Sequence, residues 1–241
     1  MLTFKEYLLT ENSIVPSNLK NHLKKKGYDF LGSGIDQAAF LEPNKKTVLK
    51  IFGTGYGTMG HKSDAVNFSI EHEMFATFAN YCKKNATNPY LPKIYGWEPF
   101  IYEKYTYIQY RTELLKSVTK SLTYACALVL QFISDWIQRS HKSKKEIIGM
   151  IKSQDKNEWD YLDGGDYRDG LAILSIHLGE GIDLFLGTIY DLAKLGKSKG
   201  YFLDLHGGNF MINSKGDIVI VDPWVVESYR TANQNKVWAL K

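Results

Sequence analysis

The stretch Tyr201-Phe202-Leu203-Asp204-Leu205-His206-Gly207-Gly208-Asn209-Phe210-Met211-Ile212-Asn213-Ser214-Lys215-Gly216-Asp217-Ile218-Val219-Ile220-Val221-Asp222-Pro223-Trp224 decides how this chain is read. Three apolar segments, Tyr201 to Leu203, Phe210 to Ile212 and Ile218 to Val221, carry the β-branched and aromatic residues that suit strands. Asn213-Ser214-Lys215-Gly216 predicts the turn that joins the last two as a hairpin. Asp204 falls where the first strand ends, Asn209 in the loop after it, and Asp222 at the tip of the last strand. Two carboxylates and an amide are thus brought to loops that short strands can hold still. Phosphoryl transfer needs such a set: one carboxylate to orient the attacking hydroxyl, and hard oxygen donors to hold Mg²⁺ on nucleotide phosphates.

Towards the N-terminus the pattern supplies partners for these groups. Tyr28 to Leu31 reads as a strand leading into Gly32-Ser33-Gly34, a place where backbone N–H groups can close over phosphates. Ala38 to Glu42 resumes the extended run, Pro43-Asn44-Lys45-Lys46 supplies a turn, and Thr47 to Phe52 is β-rich. Lys50 stands on that apolar strand, where an isolated lysine is out of place unless something needs its charge. Ser69 to Tyr81 has helical spacing, and further strands are expected around Ile94 to Trp97 and Tyr105 to Tyr110. Beyond them the helical period dominates, from Leu122 to Trp136 and from Ile182 to Leu195, with a polar loop or insertion over Ser153 to Gly170.

Composition narrows the function classes. The chain has 241 residues, 44% of them hydrophobic, enough for a sizeable core. A net charge of +4, with short lysine clusters only, predicts no nucleic-acid partner. Cys82 and Cys126 are too few for a disulfide scaffold or a zinc site and suit a reducing, cytoplasmic setting. No uninterrupted apolar run approaches the ~18 residues of a membrane span, and Met1 to Glu11 lacks the apolar middle of a signal peptide, so no membrane partner is expected.

The order D-x-x-x-x-N, a hairpin, then Asp after three apolar residues resembles the catalytic and metal loops of the protein-kinase-like superfamily. The form Asp204-Leu205-His206-Gly207-Gly208-Asn209 is closer to atypical and small-molecule kinases, such as the aminoglycoside-kinase branch, than to eukaryotic protein kinases. The resemblance implies an α+β, bilobal fold. Its parts are a helical leader and linker over 1–27, a small antiparallel-sheet N-lobe over 28–113, and a mainly helical, truncated C-lobe over 114–241. It implies ATP and Mg²⁺ as ligands, Asp204 as catalytic base, and Asn209 and Asp222 as metal ligands. Gly32, Ser33 and Gly34 would cover the phosphates and Lys50 would contact them. Gln109, Tyr110 and Arg111 would lie in the hinge against which adenine stacks. Lys50 requires a glutamate from the following helix; Glu71, followed by Met74, Phe75 and Phe78, fits the family spacing better than Glu73.

Three departures qualify the resemblance. The glycine loop has Gln37 near the place of its third glycine, and the metal loop reads Asp-Pro-Trp. Only 19 residues follow Asp222, short of an activation segment, so the acceptor is expected on other surfaces such as the insertion at about 140–180. The implied activity is γ-phosphate transfer from ATP to a hydroxyl, on a protein Ser/Thr in preference to a small molecule. A pseudokinase scaffold and a protein nucleotidyltransferase (AMPylation) are the alternatives. The leader Met1 to Glu11, ending Leu9-Thr10-Glu11, resembles the head-targeting peptides of T-even-like phage internal proteins. That implies packaging in a phage head and a bacterial host protein as target, in the host cytoplasm.

Overall fold

A computed structural model describes residues 15–33, 37–52, 63–103, 105–126, 129, 137, 142–153, 165–205 and 207–225, with side chains left undescribed at 63–72, 100, 105–106, 165–168 and 207. The leader Met1–Glu11 lies outside the described residues. The chain divides into two compact units, residues 1–88 with 92–114 and residues 89–91 with 115–241.

The first unit is built on an antiparallel sheet of five strands: β1 (Asp29–Ser33), β2 (Gln37–Leu41), β3 (Thr47–Phe52), β4 (Ile94–Tyr102) and β5 (Tyr105–Glu113), in the order β1-β2-β3-β5-β4. Helix α1 (Ser17–Lys25) carries Leu19 and Leu23 one turn apart, and both are buried. With Val15 they pack on Ala38, Phe40, Leu49, Ile51 and Tyr107, which share one face of the sheet. Each leucine so buried contributes roughly 2 kcal/mol. The segment expected as part of a leader and linker is therefore core. The opposite face carries Val48, Lys50, Phe52, Ile108 and Tyr110, since side chains alternate along a strand and residues paired across an antiparallel ladder share a face. Helix α2 (Ser63–Lys84) brings Phe75 to that face, with its ring 5.1 Å from Phe52 and 4.2 Å from Tyr110.

Turn chemistry sets the β2–β3 connection as the residues dictate. Asn44 Oδ1 accepts from the N–H groups of Lys46 (2.8 Å) and Thr47 (3.1 Å), while Lys45 takes a left-handed conformation with φ 57°. Strands β4 and β5 extend further than expected, and the tip between them has Glu103 at φ 54°.

The second unit centres on α5 (Ile182–Ser198), in which Ile182, Phe185, Leu186, Ile189 and Leu192 are buried in the register that the periodicity predicts. Two helices were not legible in the sequence. Helix α3 (Lys144–Ser153) buries only Ile147 and Ile151, too short an apolar pattern to stand out, and is tied to α5 by Lys144–Asp191 (2.6 Å) and Lys152–Asp183 (2.8 Å). Both pairs are exposed, so each is worth less than about 1 kcal/mol. Helix α4 (Gly165–Leu178) begins in the stretch expected as loop, and its isoleucines Ile173 and Ile176 are exposed while Leu171 and Leu174 are buried, which blurs the face. Short strands complete the unit: β6 (Lys116–Ser117), β8 (Phe210–Ile212) and β9 (Ile218–Ile220) form one antiparallel sheet, and β7 (Phe202–Leu203) pairs with β10 (Trp224–Val225).

The architecture is α+β and compatible with the kinase-like fold that the resemblance implies. Among the described residues, the helical stretch Asp169–Ser198, joined through a 3₁₀ turn at Gly179–Gly181, is long and apolar enough to cross a membrane by length and composition alone. Its buried residues Phe185, Leu186, Ile189 and Leu192 mark it as the core helix of this unit.

Both cysteines are buried, and burial removes the water that a thiolate needs. The Cys126 thiol is pushed up to about 12 from 9.0, and Cys82 is raised as well. Since the folded state holds these protons, their contribution to stability is complete below the free-thiol pKa and declines as pH rises from there. Thiol alkylation at pH 8 is therefore expected to be slow in the native protein and to reach two labels per chain only in denaturant. Rapid native labelling at either residue, read by intact mass, contradicts this packing.

Candidate active site

The residues of the opening stretch converge within the second unit. Helix α5 ends with Gly200 at φ 78°, where Tyr201 N–H bonds the Gly196 carbonyl (2.9 Å) and Gly200 N–H bonds that of Lys197 (3.2 Å). This left-handed cap turns the chain straight into β7. Asp204 follows β7, and its N–H donates to the Pro223 carbonyl at 2.9 Å, so Asp204 sits beside the Asp222–Pro223 segment that leads into β10. Asn209 closes a 3₁₀ turn, Gly207–Asn209, and its backbone carbonyl accepts from Val221 N–H at 3.0 Å. The Asn209 side chain donates from Nδ2 to the Asp204 carbonyl at 2.5 Å.

These bonds fix an orientation. A backbone carbonyl only accepts, so the amide nitrogen must face Asp204 and Oδ1 is turned the other way, available as an oxygen donor. Asn209 is buried, Asp204 half-buried and Asp222 exposed, a gradient from a rigid amide to a wet carboxylate. Asn209 and Asp222 are hard oxygen donors of the kind Mg²⁺ accepts, and Mg²⁺ takes few ligands from protein. Among the described residues no group of three or more His, Cys, Asp or Glu gathers to hold a metal. His206 lies outside the described residues.

Trp224 anchors this loop pair from behind. Its indole is 4% exposed, donates Nε1–H to the Leu192 carbonyl at 3.0 Å, and lies 5.8 Å from the Tyr201 ring. It rests directly on α5 at Gly196, where an added Cβ would lie 2.6 Å from Nε1.

In the first unit, Lys50 stands at the centre of β3, opposite Tyr110 on β5, and its Nζ is 5.6 Å from the centroid of the Tyr110 ring. Gly32 and Ser33 lie on β1, and a Cβ at Gly32 would meet no atom within 4 Å, so the backbone there is open to approach. Gly34 and the Glu71 side chain fall outside the described residues. Glu73, the other glutamate considered, is exposed.

Gln109, Tyr110 and Arg111 lie in mid-strand with β3 on one side and β4 on the other, so their backbone groups belong to ladders. Gln109 and Arg111 also occupy the sheet face opposite Lys50. There Gln109 donates to Glu98 (2.8 Å), and Arg111 to the buried Glu42 (2.9 Å), a bond that raises its pKa further. Tyr110 shares the Lys50 face, with its ring 5% exposed and packed by Phe52 and Phe75. The chain leaves the sheet only after Glu113. The extra β-branched and aromatic residues of Tyr105 to Thr112 are the signal that could have shown the longer strand.

No protein-family model matches the chain, and no curated protein is significantly similar to it. A solved structure described as a co-crystal structure of WbdD and kinase inhibitor LY294002 matches with a TM-score of 0.34 and 10% identity. The match covers 85% of this chain and 34% of that one, so the chain spans about a third of its length. At that score the likeness carries no argument about chemistry, which must come from the residues themselves.

Gly196→Ala tests how the site is held. In an ordinary helix the change gains up to about 1 kcal/mol of propensity. Here the Cβ would meet an indole pinned at both ends, so a net loss of about 1–3 kcal/mol is expected in urea denaturation. A stabilised variant would contradict the tight seat of Trp224.

Proposed function

We propose that this chain is an ATP- and Mg²⁺-dependent phosphotransferase of the protein-kinase-like type, acting on a hydroxyl acceptor, with a protein Ser/Thr favoured over a small molecule. The observation that carries this reading is the bond from the Asn209 amide to the Asp204 carbonyl, beside Asp204 N–H on the Pro223 carbonyl. It joins the Asn209 side chain to the Asp204 backbone, and that backbone to Pro223 beside Asp222, which supports reading the three as one set for phosphoryl transfer.

Asp204, half-buried and held at its backbone, accepts the proton of the acceptor hydroxyl and aims its oxygen. Asn209 Oδ1 and the Asp222 carboxylate would hold the cation, which when bound neutralises charge on the phosphate oxygens. Lys50 supplies a fixed positive charge for the α- and β-phosphates from a half-buried strand position. None of these groups has to form a covalent bond with substrate, since this chemistry is largely positioning and electrostatics.

Transfer from γ-labelled ATP into a bacterial lysate, with intact-mass analysis of the product, tests the reading. Wild type should add phosphate and not AMP. Asp204→Ala should lose at least ~10²-fold in rate while keeping its thermal shift with ATP and Mg²⁺. Asp222→Ala should lose the Mg²⁺-dependent part of that shift. Undiminished turnover in both variants overturns the assignment, and a thermal shift without turnover in wild type points to a binding scaffold instead.

A further inference from the structure

Helix α4 is apolar on two sides. Leu171 and Leu174 fill its inward face, while Asp169, Ala172, Ile173 and Ile176 share the opposite one at i, i+3, i+4 and i+7. All four are exposed, Ile176 by 85%. A single exposed isoleucine is ordinary, but a stripe at this spacing is what a helix presents to a second partner. Among the described residues, the charges that border the stripe are acidic. Asp169 stands at its head and Glu180 just past its foot, while Asp183 further on is bonded to Lys152 at 2.8 Å. The foot of α4 is also tied to the Asn209 turn by consecutive hydrogen bonds. Gly181, which closes the 3₁₀ turn after the helix, accepts from the Tyr90 hydroxyl at 3.1 Å, and a Cβ there would lie 2.0 Å from that oxygen. The Tyr90 carbonyl accepts from Ile220 N–H and the Asn209 carbonyl from Val221 N–H, both at 3.0 Å.

We propose that the outward face of α4 docks the acceptor protein, through a segment that sets apolar side chains in register with Lys or Arg. The proposal rests on the phosphotransferase reading and deepens it, since it commits to a protein acceptor and names the chemistry that selects it. The isoleucines supply the affinity, because their apolar area leaves water at a complementary surface. The carboxylates supply the choice of partner, drawing in a basic segment and repelling an acidic one. Two other occupants suit the face less well. A second copy packed antiparallel about Ile173 and Ile176 sets Asp169 of one chain beside Glu180 of the other, like charge on like. An anionic lipid surface meets the same repulsion. Through Gly181 and Tyr90, a protein held on α4 is held in fixed relation to the Asn209 turn.

The test uses the full chain and a fluorescein-labelled helical peptide of Leu and Lys, with leucines at i, i+3, i+4 and i+7. A control peptide has Glu in place of every Lys. By fluorescence anisotropy, wild type should bind the Lys peptide at least ~10-fold more tightly than the Glu peptide, with the difference shrinking as salt rises. Ile173→Ser with Ile176→Ser should weaken the Lys peptide at least ~10-fold and leave the melting temperature unchanged, since both side chains are exposed. Asp169→Lys with Glu180→Lys should reverse the preference between the two peptides. Equal binding of both peptides, binding that survives loss of the isoleucines, or a wild-type dimer that this loss dissolves overturns the proposal. In turnover, saturating Lys peptide should slow transfer from γ-labelled ATP into lysate proteins several-fold, with the thermal shift by ATP and Mg²⁺ unchanged. Binding without that slowing overturns the assignment of the face to the acceptor. If wild type transfers no phosphate, the functional reading fails by itself, and the anisotropy still decides whether α4 docks a basic segment.

Discussion

A single amide–carbonyl contact organises the second unit. Asn209 is buried, and its Nδ2 must donate somewhere or cost the unit an unsatisfied polar group. It donates to the carbonyl of Asp204, whose own N–H is spent on Pro223. The strands β7, β8, β9 and β10 are only two or three residues long, too short to place a side chain by ladder alone. What places them is this chain of bonds, backed by Trp224 seated on α5. The core helix therefore determines where a pair of carboxylates can stand, through one indole and one left-handed glycine.

The first unit divides its labour between the two faces of one sheet. One face closes on α1 and is a plain hydrophobic core with a buried Glu42 neutralised by Arg111. The other face carries the charge of Lys50 over an aromatic floor. Period-two alternation makes this separation strict: a one-residue slip of β5 would exchange Tyr110 for Arg111 and put like charge beside Lys50.

Much of this was legible in the sequence, and the failures have physical causes. The strands around Thr47 to Phe52, the turn at Asn213 to Gly216 and the buried stripe of α5 follow from strong local patterns that tertiary structure did not override. Asp204, Asn209 and Asp222 could be singled out by the D-x-x-x-x-N spacing, the hairpin after it and the Asp that follows three apolar residues. Their mutual bonds could not be read, since nothing in the chain says which carbonyl a buried amide will choose. Helices α3 and α4 escaped notice because their apolar residues are few or partly exposed, so no face stands out. The face of Gln109 and Arg111 was likewise hidden: it depends on where β5 starts and on its register with β3, which long-range pairing sets. The structural role of α1 was hidden for a similar reason, because Leu19 and Leu23 alone do not show what they pack against.

The most direct test of the account lies at the Asn209 side chain. Its amide NH₂ resonance should broaden when Mn²⁺ is added together with a non-hydrolysable ATP analogue, and should persist with Mg²⁺ in its place. An Asn209 signal that stays sharp under saturating Mn²⁺ and nucleotide would contradict the assignment of this loop pair as a metal–phosphate site.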